Sequence, residues 1–231
     1  MADKPKVAVV LSGCGVYDGA EIHEAVLTLL ALDRQGAEVA CFAPNVAQAH
    51  VINHLTGQPA EGESRNVLVE AARIARGAIG DLATYRAADF DALIFPGGFG
   101  AAKNLSTFAF AGPAMEVNPD VERAIRDTRA AGKPIGALCI APTLLARLLA
   151  PVRVTIGGDA GVAAAIEAMG GHHVVTGHGA VVVDAEARVA TTPCYMLDAT
   201  ISQIEAGASA VVAAVLAMAR GETPADTDTA V

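Results

Sequence analysis

Short apolar runs alternate with helical spacing along most of the chain. Val7–Leu11 is apolar and β-branched, and reads as a first buried strand. Gly13–Gly19 reads as a loop. Ala20–Gln35 has helical spacing, with Ile22, Val26, Leu29 and Leu30 expected inward, and Gly36 ends it. Glu38–Ala43 is a second strand, so the chain opens as a βαβ unit with a right-handed crossover. Asn45–Arg65 is long for a connection and is expected to form a partly ordered excursion or lid. Asn66–Arg76 reads as a helix, Ile79–Leu82 as a short strand and Ala92–Phe95 as a buried strand stopped by Pro96-Gly97-Gly98. A glycine-rich, aromatic loop is expected to continue to Pro113. Asn118 as cap and Pro119 as first residue start a helix that Gly132 closes. Later strands are expected at Val152–Ile156, His173–Thr176, Ala180–Val183 and Arg188–Thr191. Turns at Gly179 and Asp184 point to an antiparallel section, and Asp198–Arg220 is the last helix. The polar remainder from Gly221 is expected to fray. Neither a repeat nor an interdomain linker interrupts this pattern, and 231 residues suit one domain with a full core.

The pattern has one abrupt junction. Pro134–Leu138 is a central-strand run, and helical spacing begins at Ile140, with Leu144, Leu145, Leu148 and Leu149 on one face. Between them Ala137, Cys139 and Ala141 form small-x-Cys-x-small, the nucleophile-elbow pattern with cysteine for serine. Such a turn puts the sulfur at a helix N-terminus, where free N–H groups and the dipole favour a thiolate. It also aims the N–H of Ile140 at an oxyanion formed by attack on a carbonyl. In an open α/β sheet, sites lie outside the carboxyl ends of the strands. Three loops are therefore expected to converge: Gly13–Gly19, Gly97–Asn104 and the elbow. Gly98, lacking a Cβ, can bring a second N–H donor close. Glu24 and Glu21, three residues apart on the first helix, share a face, and spacing cannot separate them as acid–base groups.

Charge and cysteine usage narrow the chemistry. A net charge of −9 argues against nucleic acid or an anionic membrane. Cys14, Cys41, Cys139 and Cys194 are widely spaced without C-x-x-C, against a disulfide framework or a zinc site. The start lacks a signal-peptide apolar region, and Ala206–Ala219 reads as a packed terminal helix, so the expected location is the cytoplasm. Gly13-x-Gly15-x-x-x-Gly19 follows the first strand as a dinucleotide loop would. However, Asp18 would face the pyrophosphate, and strand two ends Phe42-Ala43-Pro44-Asn45 with no acid for a ribose.

Pro96-Gly97-Gly98-Phe99-Gly100 followed by a cysteine elbow some forty residues on resembles the PfpI/ThiJ superfamily. Ser12 to Glu24 and Gly97 to Leu105 are similar to its ElbB-like glyoxalase subfamily, and the resemblance runs from about Lys6 to Arg220. It implies a class I glutamine amidotransferase-like, flavodoxin-like three-layer α/β sandwich with a mostly parallel sheet. It also implies a protonated glutamate beside the cysteine, for which counting back from Gly36 favours Glu24 over Glu21. A peptidase of this superfamily carries His directly after the cysteine, where this chain has Ile140. An amidotransferase carries a late His-x-Glu, which His172, His173 and His178 do not form. Sister proteins with a distant catalytic His have it where this chain has Ile156-Gly157-Gly158. No histidine is therefore carried over, and His172 and His173 are expected to flank a surface strand. The implied function is a glyoxalase acting on glyoxal or a similar 2-oxoaldehyde, with Cys139, Glu24, Gly98 and Ile140 as site residues. Neither a metal nor glutathione nor any other cofactor is expected. The expected partner is a small aldehyde, with a homodimer as candidate assembly. The alternative is a redox-sensing module in which Cys14 is the resolving thiol.

Overall fold

The computed structural model describes residues 4–227. In chain order the elements are β1 (Lys6–Val10), α1 (Ile22–Arg34), β2 (Glu38–Ala43), β3 (Ile52–Asn53), β4 (Gln58–Pro59), α2 (Val67–Ile74), β5 (Ile79–Asp81), β6 (Ala92–Phe95), α3 (Phe99–Lys103) and α4 (Phe108–Ala111). There follow α5 (Pro119–Ala130), β7 (Ile135–Leu138), α6 (Pro142–Leu149), β8 (Arg153–Val154), α7 (Ala160–Ala168), β9 (His172–His173), β10 (Val182–Asp184), β11 (Val189–Thr192) and α8 (Ile201–Ala219).

Seven strands form one sheet in the order β10-β11-β7-β6-β1-β2-β5. Every pairing is parallel except the hairpin of β10 with β11. Alternation along the central strands feeds both faces. Val7, Val9 and Ile94 join one core with α1, α2 and α8, whereas Ala8, Val10, Leu93 and Phe95 join the other with α5, α6 and α7. This is the expected three-layer, mostly parallel α/β fold. From β1 the chain goes one way to β2, and it later returns through β6 to β7 on the other side. The crevice between the ends of β1 and β6 is thus the topological switch point, where open sheets place their sites.

Local chemistry explains the elements that match expectation. Asn118 caps α5 by accepting from the N–H groups of Asp120 and Val121, with Pro119 in the first turn. Thr200 and Gln203 form a reciprocal capping box at α8. By length and composition α8 could cross a bilayer, yet Ile204, Ala208, Val211 and Val215 are buried within the core.

Several expectations are corrected. Ile22, Val26 and Leu30 of α1 are exposed, while Glu24, Ala25, Thr28, Ala31 and Leu32 are buried. The helix lies against α8, where Arg34 pairs with Glu205 and Gln35 donates to the carbonyl of Ser209. Size, not hydropathy, chose the inward face. The stretch after Gly98 contains two short helices, and α7 fills the segment before His172. The excursion after β2 folds into the β3–β4 hairpin, and Asp18 anchors it by accepting from the N–H of Ile52 (2.7 Å). The segment from Gly221 does not fray as far as it is described. Asp226 accepts from the N–H of Val183 and Thr227 pairs with Val181. The rest of the expected frayed tail lies outside the described residues.

Candidate active site

The backbone builds the site before any side chain acts. β7 ends at Leu138, and Cys139 turns with φ 60°, a left-handed value that only a tightly held L-residue adopts. The Cys139 N–H donates to the carbonyl of Thr192 at the end of the neighbouring β11, at 3.0 Å. The helix then starts two residues later than its apolar spacing suggested, at Pro142. From the adjacent β6 the chain passes through Gly97 and Gly98. A Cβ on Gly97 would stand 2.6 Å from Glu24 Oε2 and 2.9 Å from Cys139 Sγ. Gly98 has φ 96°, and a Cβ there would collide with the backbone of Glu21. Both glycines are therefore required by contact, and Gly98 also by conformation.

The structure brings the four expected residues together. The backbone N–H groups of Gly98 and Ile140 and the carboxyl of Glu24 are the polar groups that act on the Cys139 sulfur. Glu24 is fully buried. Its Oε2 accepts from the N–H of Gly97 (3.0 Å) and its Oε1 from the N–H of Tyr195 (3.1 Å). Glu21 takes a different part. It is the N-cap of α1, accepting from the N–H of Glu24 at 2.7 Å, and it lines the cavity. Local geometry thus separates two carboxyls that spacing could not.

Burial pushes the Glu24 carboxyl up to about 8, reinforced by the negative charge of Glu21 and opposed by the N–H groups it accepts. Burial also pushes the Cys139 thiol up, and a Glu24 carboxylate adds to this, against the pull of the Gly98 and Ile140 N–H groups. The expected lowering by a helix N-terminus is outweighed. Both groups are pushed toward their protonated forms, and they titrate as a coupled pair. With Glu24 protonated its repulsion of the sulfur vanishes, and the pull of the two N–H groups toward a thiolate remains.

Cys139 opens into a cavity of about 370 Å³, lined among others by Val16, Phe99, Phe108, Ile140, Val162 and Met196. Sequence reasoning missed Tyr195, whose N–H fixes Glu24 and whose hydroxyl hydrogen-bonds His23 Nδ1 at 2.8 Å. It also missed Asp159 at the cavity wall. Pro193-Cys194-Tyr195 directly follows β11, and only the pairing of β11 with β7 brings Tyr195 to the site. The charged groups around Cys14 are Arg73, Glu70 and Asp18, and a second thiol, Cys194, is close enough to Cys139 to feel its charge. No histidine lines the cavity. His172 and His173, expected to flank a strand, themselves form β9, with His172 exposed and His173 half-buried. Among the described residues no group of three His, Cys, Asp or Glu converges to hold a metal ion.

No protein-family model matches the chain. Curated relatives do. The human glutamine amidotransferase-like class 1 domain-containing protein 3, mitochondrial, is 54% identical over 220 residues, covering 91% of this chain and 82% of its own length. The mitochondrial ES1 protein homolog of Rattus norvegicus is 52% identical over 222 residues, covering 92% and 84%. Both names include the mitochondrion, which overturns the expectation of a cytoplasmic location. Among solved structures, an Ehrlichia chaffeensis isoprenoid biosynthesis protein with an amidotransferase-like domain is 39% identical. Its TM-score is 0.85, over 92% of this chain and 99% of that one. Candida albicans glyoxalase III, at 15% identity and a TM-score of 0.59 over 91% of this chain and 97% of its own, shares the fold alone. With more than half of its residues identical to those of the human and rat proteins along nearly its whole length, the chain belongs to the glutamine amidotransferase-like class 1 family that includes the ES1 proteins.

Proposed function

We propose that the protein is a cofactor-independent glyoxalase of the ElbB-like kind. The observation that carries this reading is the fully buried Glu24 carboxyl set beside an elbow cysteine, where burial pushes it up to about 8. The Cys139 thiolate adds to one aldehyde carbon of a 2-oxoaldehyde, and the resulting alkoxide takes the proton of the Glu24 carboxyl, giving a hemithioacetal and leaving Glu24 as carboxylate. Glu24, as carboxylate, removes the proton from that carbon and returns one to the neighbouring carbon through an enediol. This converts the hemithioacetal into a thioester of the 2-hydroxy acid. Water hydrolyses the thioester, releasing the hydroxy acid (glycolate from glyoxal) and the free thiol. The N–H groups of Gly98 and Ile140 stabilise the oxyanion of thioester hydrolysis. A Cys–His amide hydrolase is less well supported, because the acid–base group beside the cysteine is a carboxyl.

The test is consumption of glyoxal and methylglyoxal without glutathione, with hydroxy-acid formation followed directly. Turnover by the wild-type chain, lost in Cys139→Ser, supports the reading. Absence of any 2-oxoaldehyde turnover sinks it.

A second reading, a redox module, is favoured by the buried Cys194 thiol close enough to Cys139 to feel its charge. A peroxide would oxidise Cys139 to the sulfenic acid, which Cys194 would condense with, releasing water. Intact mass after mild peroxide tests it: a loss of two hydrogens abolished by Cys194→Ala supports it, and its absence excludes it.

A further inference from the structure

The cavity in front of Cys139 is not shaped for a two-carbon dialdehyde. Its volume of about 370 Å³ falls within the ~300–1,000 Å³ of sites that enclose far larger ligands. Its walls are apolar, with Phe108 and Phe99 on one side and Ile140, Val162 and Met196 on others. The charged groups that line it are two carboxylates. Glu21 is buried and Asp159 is exposed; each uses one oxygen to cap a helix, accepting from Glu24 N and Val162 N respectively. Among the described residues neither Lys nor Arg nor His lines the cavity. Lys103, the nearby cation, donates to the carbonyl of Tyr17 and lies over the Phe99 ring, 5.1 Å from its centre. The whole chain carries a net charge of −9.

We propose that this cavity selects uncharged carbonyl compounds bearing an apolar body of about aryl size, and that Glu21 and Asp159 exclude anionic ones. This rests on the reading of Cys139 as a nucleophile toward carbonyl carbon. An anion entering the cavity loses water and meets two carboxylates with no cation to pair with, an arrangement that discriminates by repulsion. A neutral aryl body instead buries its surface against Phe108, Ile140 and Met196. Bare glyoxal leaves those walls unused.

Alkylation of Cys139 in the native protein tests the cavity independently of turnover. Rates are measured by peptide mass for phenacyl bromide (neutral, aryl), iodoacetamide (neutral, small) and iodoacetate (anionic, small). Each is divided by the reagent's rate with N-acetylcysteine, which removes intrinsic reactivity; the thiolate fraction is common to all three. The expected order is phenacyl bromide over iodoacetamide by at least about tenfold, the scale of one or more added apolar contacts, and iodoacetate slower than iodoacetamide by a similar factor. Asp159→Asn, which keeps the helix cap, narrows the iodoacetate gap, and Phe108→Ala narrows the phenacyl advantage. Equal normalised rates for the three reagents overturn the inference, even if glyoxal is turned over. Retained selectivity in a chain that converts no 2-oxoaldehyde overturns the glyoxalase reading and leaves the inference standing.

Discussion

Cys139 and Cys194 are near twins in backbone terms. Each follows the carboxyl end of a parallel strand, β7 and its neighbour β11, and each has a left-handed φ, 60° and 44°. Each is buried, and each thiol is pushed up by burial and by Glu24. Their sulfurs differ in what they meet. Cys139 receives the N–H groups of Gly98 and Ile140 and faces a cavity. Cys194 is turned toward α8, where a Cβ on Gly207 would stand 3.5 Å from its sulfur, and it does not line that cavity. Strain and burial are common to both, so neither separates the two sulfurs. Aligned donors and access do.

The sharpest test of that contrast is to remove the sulfurs one at a time. Cys139→Ala is expected to reduce 2-oxoaldehyde turnover to the uncatalysed rate; retained activity would move the chemistry elsewhere. Gly97→Ala leaves both sulfurs in place but drives a methyl between Cys139 and Glu24. Turnover should fall by more than about a hundredfold, as expected when reacting groups are displaced by an ångström. The fold, followed by circular dichroism, should survive.

Glu24→Gln should cost at least about a hundredfold in kcat/KM, the scale of a lost acid–base group, and Glu21→Gln less than about tenfold. The reverse ranking would hand the proton transfer to Glu21. The same carboxyl predicts a pH signature. Its folded-state value of about 8 lies above its ordinary 4.5. The stability it contributes is therefore full below about 4.5 and is lost as pH rises through about 8, because the folded state holds the proton longer. Chemical denaturation from pH 4 to 9 should show this slope in the wild type and lose it in Glu24→Gln. The smallest effect is expected at the twin. Cys194→Ala should leave turnover near wild type and cost about 1 kcal/mol of stability, typical of a single buried truncation.

The layers of the fold were legible because the apolar runs of β1, β6 and β7 are short and continuous, as strands covered on both faces must be. The elbow was legible because a tight strand-to-helix turn demands small neighbours at Ala137 and Ala141. The burial of α1 was not, because its inward face carries alanines and a threonine, whose fit depends on α8 some 180 residues away. Tyr195 was hidden for a related reason. Its contribution to Glu24 comes from the backbone N–H, which every residue but proline possesses, so no residue type announces it. Only the adjacency of β11 to β7, a long-range pairing, places that N–H beside the carboxyl.

The clasp at the far end of the chain has a consequence away from the site. β10 is an edge strand, and its outward-facing groups would invite another molecule's strand. Val181 exchanges both backbone bonds with Thr227, Val183 N–H goes to Asp226, and the Val183 carbonyl accepts from Arg153. The opposite edge, β5, is three residues long. Among the described residues the sheet therefore offers a newcomer no long unsatisfied rail on either side, and the molecule is guarded against polymerising through its own hydrogen bonds.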